Sequence, residues 1–220
     1  MIGILVPAHD EEARLEKCLH SLTEAARHPD LKGEPVRIVV VLDDCSDNST
    51  FIAARFPVSV IEINARNVGR ARAVGADWLI AQGARWIACT DADSQVPANW
   101  LASQLAYGAD AVCGVVEVDD WTLHSQRDRE RYDAHYQDSE GHRHIHGANF
   151  GVSTEAYLLA GGFPALAVNE DVDLVERLQA MGKRIAWSCL TRVRTSARLD
   201  SRAKGGFGDY LKSLEIRALA

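Results

Sequence analysis

Along the first half of the chain, apolar runs of strand length alternate with segments of helical period. Ile2–Pro7, Val36–Leu42, Val58–Ile63, Trp86–Thr90 and Ala111–Val118 are the apolar runs, and they predict five strands. Between the first two, Leu15, Cys18, Leu19 and Leu22 recur at i, i+3, i+4 and i+7. That spacing puts one apolar stripe on a helix from about Glu11 to Arg27. Asp47 or Asn48 is suited to cap the next helix, and Asn67 a third that runs to about Gln82. Strands separated by helices imply an α/β unit with a mostly parallel sheet, helices on both faces and ligands beyond the C-terminal strand edges.

The alternation fails after Val118. Asp119 to Arg143 is rich in Arg, Asp, His and Tyr, and reads as a partly helical excursion over that edge. Order returns with Gly147-Ala148-Asn149-Phe150-Gly151-Val152. A helix near Thr154–Ala160 follows, closed by Gly161-Gly162, and then one after Asn169 with Leu174, Val175, Leu178 and Met181 as its core stripe. The stretch Thr191–Lys204 is basic, and Tyr210–Ala220 reads as a last amphipathic helix. With no repeat or low-complexity linker, the expectation is a single domain over 1–220, with a nucleotide-binding half at 1–95 and a catalytic, acceptor-side half at 96–220.

At 47% hydrophobic and 25% charged residues, the composition is that of a globular protein. Five scattered cysteines without a CxxC pair indicate neither a disulfide framework nor a zinc site, and predict a reducing, cytoplasmic setting. The start, MIGILVPAHDEE, lacks a basic n-region and reads as a first strand, not a signal peptide. No run approaches the ~20 apolar residues of a membrane span. Apolar residues near the C-terminus leave peripheral membrane contact open. A formal charge of −7 argues against a nucleic-acid partner. It also means that any bound diphosphate must be neutralised locally, by a metal ion or arginine.

Acidic loops follow three of the predicted strands: His9-Asp10-Glu11-Glu12, Asp43-Asp44-Cys45-Ser46 and Asp91-Ala92-Asp93-Ser94. Asp91 and Asp93, two residues apart at a strand end, point to one side, where a divalent cation and a diphosphate fit. A single such loop is as well explained by helix capping; three at one sheet edge make a site. His142, His144 and His146 alternate and would share one side of an extended segment, offering a transition-metal site or a third ligand beside Asp93.

Six segments in order, VPAHDEE, VVVLDDCSDNST, NVGRARAVGADW, DADS, GANFGVSTEAYLLAGGFP and NEDVDLVERLQAMGKRIAW, make the chain resemble the family 2 glycosyltransferases, which have the GT-A fold. The resemblance implies an inverting, metal-assisted enzyme that moves a sugar from a UDP- or GDP-linked donor to the hydroxyl of a saccharide, lipid-carrier or small-molecule acceptor. Retaining transfer on the same fold and a catalytically inactive nucleotide-sugar-binding module are the alternatives. The first loop, Pro7, Ala8, Asp10 and Glu11, would line the nucleoside, although Asp10 stands where Asn is more usual. Asp43 and Asp44 would read the base, and Asn67, Gly69 and Arg70 would cover base and ribose.

In the same resemblance Asp93 binds Mg²⁺ or Mn²⁺, Asp91 holds ribose or a metal-bound water, and Ala92 sits between them. Asp171 is the implied catalytic base, with Glu170 its neighbour in the Glu-Asp pair. Asn149 would position sugar or acceptor, and Arg198 would clamp the diphosphate, with Arg194 and Arg202 as weaker candidates.

Overall fold

The computed structural model describes residues 1–118, 120–122 and 125–196. Seven strands form one sheet: β1 Ile2–Ala8, β2 Val36–Asp43, β3 Ser59–Ile63, β4 Trp86–Cys89, β5 Ala111–Val118, β6 Phe150–Ser153 and β7 Ile185–Thr195. Their order is β3-β2-β1-β4-β6-β5-β7. β6 alone runs antiparallel, wedged between β4 and β5, and the other neighbouring pairs are parallel. The helices are α1 Leu15–Ala25, α2 Ser49–Ala53, α3 Val68–Ala81, α4 Trp100–Ala106, α5 Gln126–His135, α6 Thr154–Leu159 and α7 Glu170–Ala180.

Strand alternation builds two cores. Ile2, Ile4, Val6 and Ala8 of β1 join Ile38, Val40 and Leu42 of β2 against α1 and Trp100. Leu5, Val39 and Val41 point the other way, against α3, α6 and α7. Helices therefore cover both faces, as the alternating pattern predicts. On the second face Gly75 lets α3 lie close to the sheet, since a Cβ there would fall 2.0 Å from Leu5 Cδ1.

Several expected boundaries move. The first helix begins at Leu15 and not near Glu11, because the Glu11 and Glu12 amides are drawn instead to Ser49 Oγ and the Asp47 carboxylate. Met181, expected in the core stripe of α7, lies just past the helix end and is 46% exposed. α4, β6 and β7 are not among the expected elements. The excursion after Val118 contains α5, and Ser125 and Asp128 close a capping box at its start.

Candidate active site

The acidic loops meet at the C-terminal edge of β1, β2 and β4. Asp10 and Asp44 both adopt left-handed backbone, at φ 51° and 53°. The Asp10 carboxylate accepts the Ser46 amide at 2.6 Å and the Asp47 amide at 3.2 Å. These bonds, Ser46 first, hold its pKa below the usual carboxylate value. Glu11 is buried, and its amide bonds Ser49 Oγ at 2.9 Å. Pro7 and Ala8 are buried at the end of β1. Asp43 accepts the amides of Ala65, Arg66 and Asn67 at 2.7 to 2.8 Å, so this carboxylate shapes the turn that leads into α3. Asp44, beside it, pairs with Arg66.

Asn67 caps α3 by accepting the Arg70 amide and reaches Ala165 O with its own amide at 3.2 Å. Gly69 donates to Leu166 O at 2.9 Å, where a Cβ would come within 2.2 Å of Pro164 O. The start of α3 is thus clasped by the 164–166 loop, and Arg70 projects outward, exposed.

Arg72, one turn into α3, organises the centre. Its guanidinium is 3% exposed and donates from Nη2 to Asp91 Oδ1 at 2.6 Å, from Nε to Glu170 Oε1 at 2.8 Å and from Nη1 to Gly147 O at 3.1 Å. Gly147 is required for that approach, since a Cβ there would lie 2.3 Å from Arg72 Nη2. Burial opposes the charge on Arg72, but Asp91 and Glu170 outweigh it and raise its pKa. One cation thereby ties the β4 edge, the segment before β6 and the start of α7 together.

The Glu-Asp pair divides its roles. Glu170 is buried in the ion pair, and burial raises its pKa against the pull of Arg72. Asp171 is partly exposed and accepts the Val172 amide at 2.9 Å. Burial raises its pKa too, against the pull of Arg72. Asn169 enters the helix at φ 61°, which turns the pair toward the sheet edge.

Asn149, expected to touch sugar or acceptor, is 1% exposed. Its Nδ2 donates to Val115 O and Thr191 O, and its Oδ1 accepts from Trp100 Nε1 at 2.9 Å. That side chain is spent on the core, and the segment reaches the site through its backbone. Arg198 and Arg202 lie outside the described residues; Arg194 lies near Glu117 at 3.8 Å.

Asp91 and Asp93 offer hard oxygen donors for Mg²⁺ or Mn²⁺. Asp91 keeps its side chain 39% exposed although Oδ1 holds Arg72, Ala92 is buried between the two, and Asp93 is partly exposed. The donor set fits such a cation. The alternating histidines do not converge on a metal. Among the described residues, the one group of three ligand-type side chains within 4.8 Å of one another is Asp10, Cys45 and Asp47. There burial raises the Cys45 pKa, and the carboxylates already accept backbone amides, so this cluster reads as loop bracing. An open groove of about 710 Å³ along α1, beside Lys17, Arg27 and Gln95, contains none of the expected site residues.

Arg72 and Gly147 were not singled out from the sequence. The signal was present: Gly69, Arg72, Gly75, Ala76 and Leu79 form the buried stripe of α3, and an arginine inside such a stripe demands carboxylate partners.

No curated protein matches the chain. Among solved structures, S. aureus TarS 1-349 in complex with UDP-GlcNAc superposes with a TM-score of 0.71 at 14% identity, covering 99% of this chain and 66% of that one. Mannosyltransferase PcManGT from Pyrobaculum calidifontis, in complex with GDP-Man and Mn²⁺, gives 0.66 at 18% identity, covering 91% of this chain and 58% of that one. The chain therefore spans two thirds or less of these proteins, and at such identity the likeness shows the GT-A-like fold. The family model described as glycosyl transferase family 2 matches residues 3–160, across the acidic loops, α3 and β6. On that match and this fold, the chain belongs to glycosyl transferase family 2.

Proposed function

We propose that the protein transfers a sugar from a UDP- or GDP-linked donor to an acceptor hydroxyl with inversion at the anomeric carbon, assisted by Mg²⁺ or Mn²⁺. The observation that carries this reading is the Asp91–Arg72–Glu170 bridge, which fixes the diphosphate side and the Glu-Asp pair as one unit. UDP-GlcNAc in the TarS structure and GDP-Man with Mn²⁺ in that of PcManGT support the donor and cation classes.

In this reading the nucleoside lies against Pro7, Ala8 and Glu11, with Asp44 at the base and Asn67, Gly69 and Arg70 over base and ribose. Asp10 and Asp43 hold the loops that shape this pocket. Asp93, with Asp91, would hold the cation, whose chemistry is to offset charge building on the departing diphosphate. Asp171 takes the proton from the acceptor hydroxyl as it attacks from the face opposite the diphosphate. Burial raises its pKa, which makes its ionised form a stronger base than a solvated aspartate. Glu170, locked to Arg72, positions Asp171 and touches no substrate, and Arg198 closes over the diphosphate.

Among the described residues no helix is long and apolar enough to cross a membrane. All five cysteines are free, which fits action in a reducing cytoplasm.

Calorimetric titration with UDP and GDP, each with and without Mn²⁺, tests the donor site. Metal-dependent binding of one nucleotide, lost in Asp93→Ala, is expected. No binding of either nucleotide under any condition would overturn the reading.

A further inference from the structure

A column of aromatic rings runs beside the site. Trp121 leans on Tyr132 at 5.3 Å, Tyr132 stacks on Tyr136 at 4.7 Å, and Tyr136 on His144 at 4.2 Å with the planes 4° apart. His144 in turn stacks on His142 at 5.4 Å and on His146 at 5.7 Å, and His142 meets Trp187 of β7 edge-on at 6.1 Å. The column fastens α5 and the segment 136–146 onto β5 and β7. Tyr132 donates to Val116 O, and Tyr136 accepts the Val116 amide.

Each histidine works as a neutral acceptor. His142 Nδ1 takes the His144 amide at 3.1 Å, and His144 Nε2 takes the Gln137 amide at 3.2 Å. His146 Nε2 lies 2.9 Å from the Tyr136 hydroxyl, whose oxygen already accepts from Val116, so the phenolic proton serves His146. A proton on any of these nitrogens removes an acceptor and puts charge into a closed stack. The charged groups around the column are Asp138 and Glu140 on the same segment, Arg143 over Trp187, and Arg192 of β7. Arg192 holds Asp138 at 2.7 Å, and Glu140 receives Ser188 Oγ and the Cys189 amide; the two carboxylates favour protonation of the rings, but burial outweighs them.

We propose that His142, His144 and His146 form an acid-sensitive latch. Neutral, they close segment 136–146 onto the sheet; protonated, they release it, and with it the Gly147 carbonyl that steadies Arg72. His146 adjoins Gly147 directly and also receives the Asn149 amide on its carbonyl, so the latch and the site share one stretch of backbone. The effect on donor binding rests on the function proposed above; the effect on stability does not.

Burial lowers the pKa of all three rings, that of His146 to about 3. A group depressed in the folded state supports folding fully above its unfolded pKa of ~6.5, and that support is lost as pH falls from there toward the folded value. His146 alone shifts the unfolding equilibrium about tenfold per pH unit in this window, and His142 and His144 add to it in the same direction. Glu170 and Asp171, whose pKa values burial raises, act in the opposite sense as pH falls and do so alike in wild type and histidine variant, so the difference between the two proteins isolates the histidines.

The test is the urea midpoint between pH 7 and 5, for the wild type and for His142→Asn/His144→Gln/His146→Gln, which keeps an acceptor at each position but cannot titrate. A midpoint that falls as pH is lowered in the wild type, and falls less or not at all in the variant, is expected. Equal pH dependence of the two proteins overturns the latch. If the triple variant does not fold, His144→Gln alone should show a shallower dependence, and an unchanged one refutes the proposal. In the wild type, ring proton resonances of His142, His144 and His146 that titrate near the unperturbed ~6.5 refute it as well.

Discussion

Replacing Arg72 with methionine keeps most of the side chain's length and removes every donor of the central bridge. Glu170, 4% exposed, would then stand ionised in the core without its partner, and Gly147 O would lose its donor. Removing one member of a buried pair costs about 3–5 kcal/mol, and the leaving of Asp91, which retains access to water, adds little to that. The expected loss in urea unfolding followed by circular dichroism is therefore about 3–5 kcal/mol at pH 7. Arg72 is the main force holding down the pKa of Glu170, so its removal lets that carboxyl protonate more readily, and the deficit should narrow as pH falls. A second change, Glu170→Met, removes the orphaned charge and should restore much of the loss, giving a large coupling energy in the double-mutant cycle. A deficit under about 1 kcal/mol in Arg72→Met, or a double variant no more stable than the single, would refute the claim that Arg72 and Glu170 form a buried ion pair.

Asp171→Asn should lower the transfer rate by about 10²–10⁴-fold with donor binding preserved, checked by product formation alongside calorimetry. Because burial raises the Asp171 pKa and the base must be ionised, the acid limb of the wild-type kcat/KM profile should lie above the ordinary aspartate value of 3.8; a limb at or below it would count against this assignment. Gly147→Ala sets a Cβ 2.3 Å from Arg72 Nη2, and overpacking of this kind should cost about 1–3 kcal/mol in the same unfolding assay and weaken nucleotide binding. Asp43→Ala strands three backbone amides and should destabilise by about 1–3 kcal/mol, while Asp44→Ala, whose pair with Arg66 is exposed, should leave stability nearly unchanged and act on nucleotide affinity alone.

The parallel half was legible because its signals are local. Strands buried on both faces read as unbroken apolar runs, and Asn67 marks the start of α3 by its own side-chain chemistry. β6 and β7 were missed because neither carries a local mark. Phe150-Gly151-Val152-Ser153 is short and interrupted by glycine, and β7 mixes arginines and threonines with only Val193 and small residues turned fully inward. Asp91, Asp93 and Asp171 could be named from motif and order, yet what joins them could not. Arg72 meets Gly147 and Glu170 across separations of 75 and 98 residues, and only the folded sheet brings those segments together. Asn149 shows the converse: a polar residue inside a matching motif is spent on three internal hydrogen bonds, and nothing in the motif tells that use from ligand contact.

The antiparallel β6 also sets the order in which the molecule can be made. β4 is flanked by β1 on one side and on the other by β6, which leaves the ribosome some sixty residues later and must slot between β4 and β5, already synthesised. Until β6 and α7 arrive, Arg72 has neither Gly147 nor Glu170, and β4 has an open edge. Pairings of such long sequence separation fold slowly, and a nascent chain ending near residue 95 would hold the Arg72 guanidinium with Asp91 but without Glu170 or Gly147, beside an unpaired strand. The central bridge therefore closes late, when α7 docks and β6 is seated.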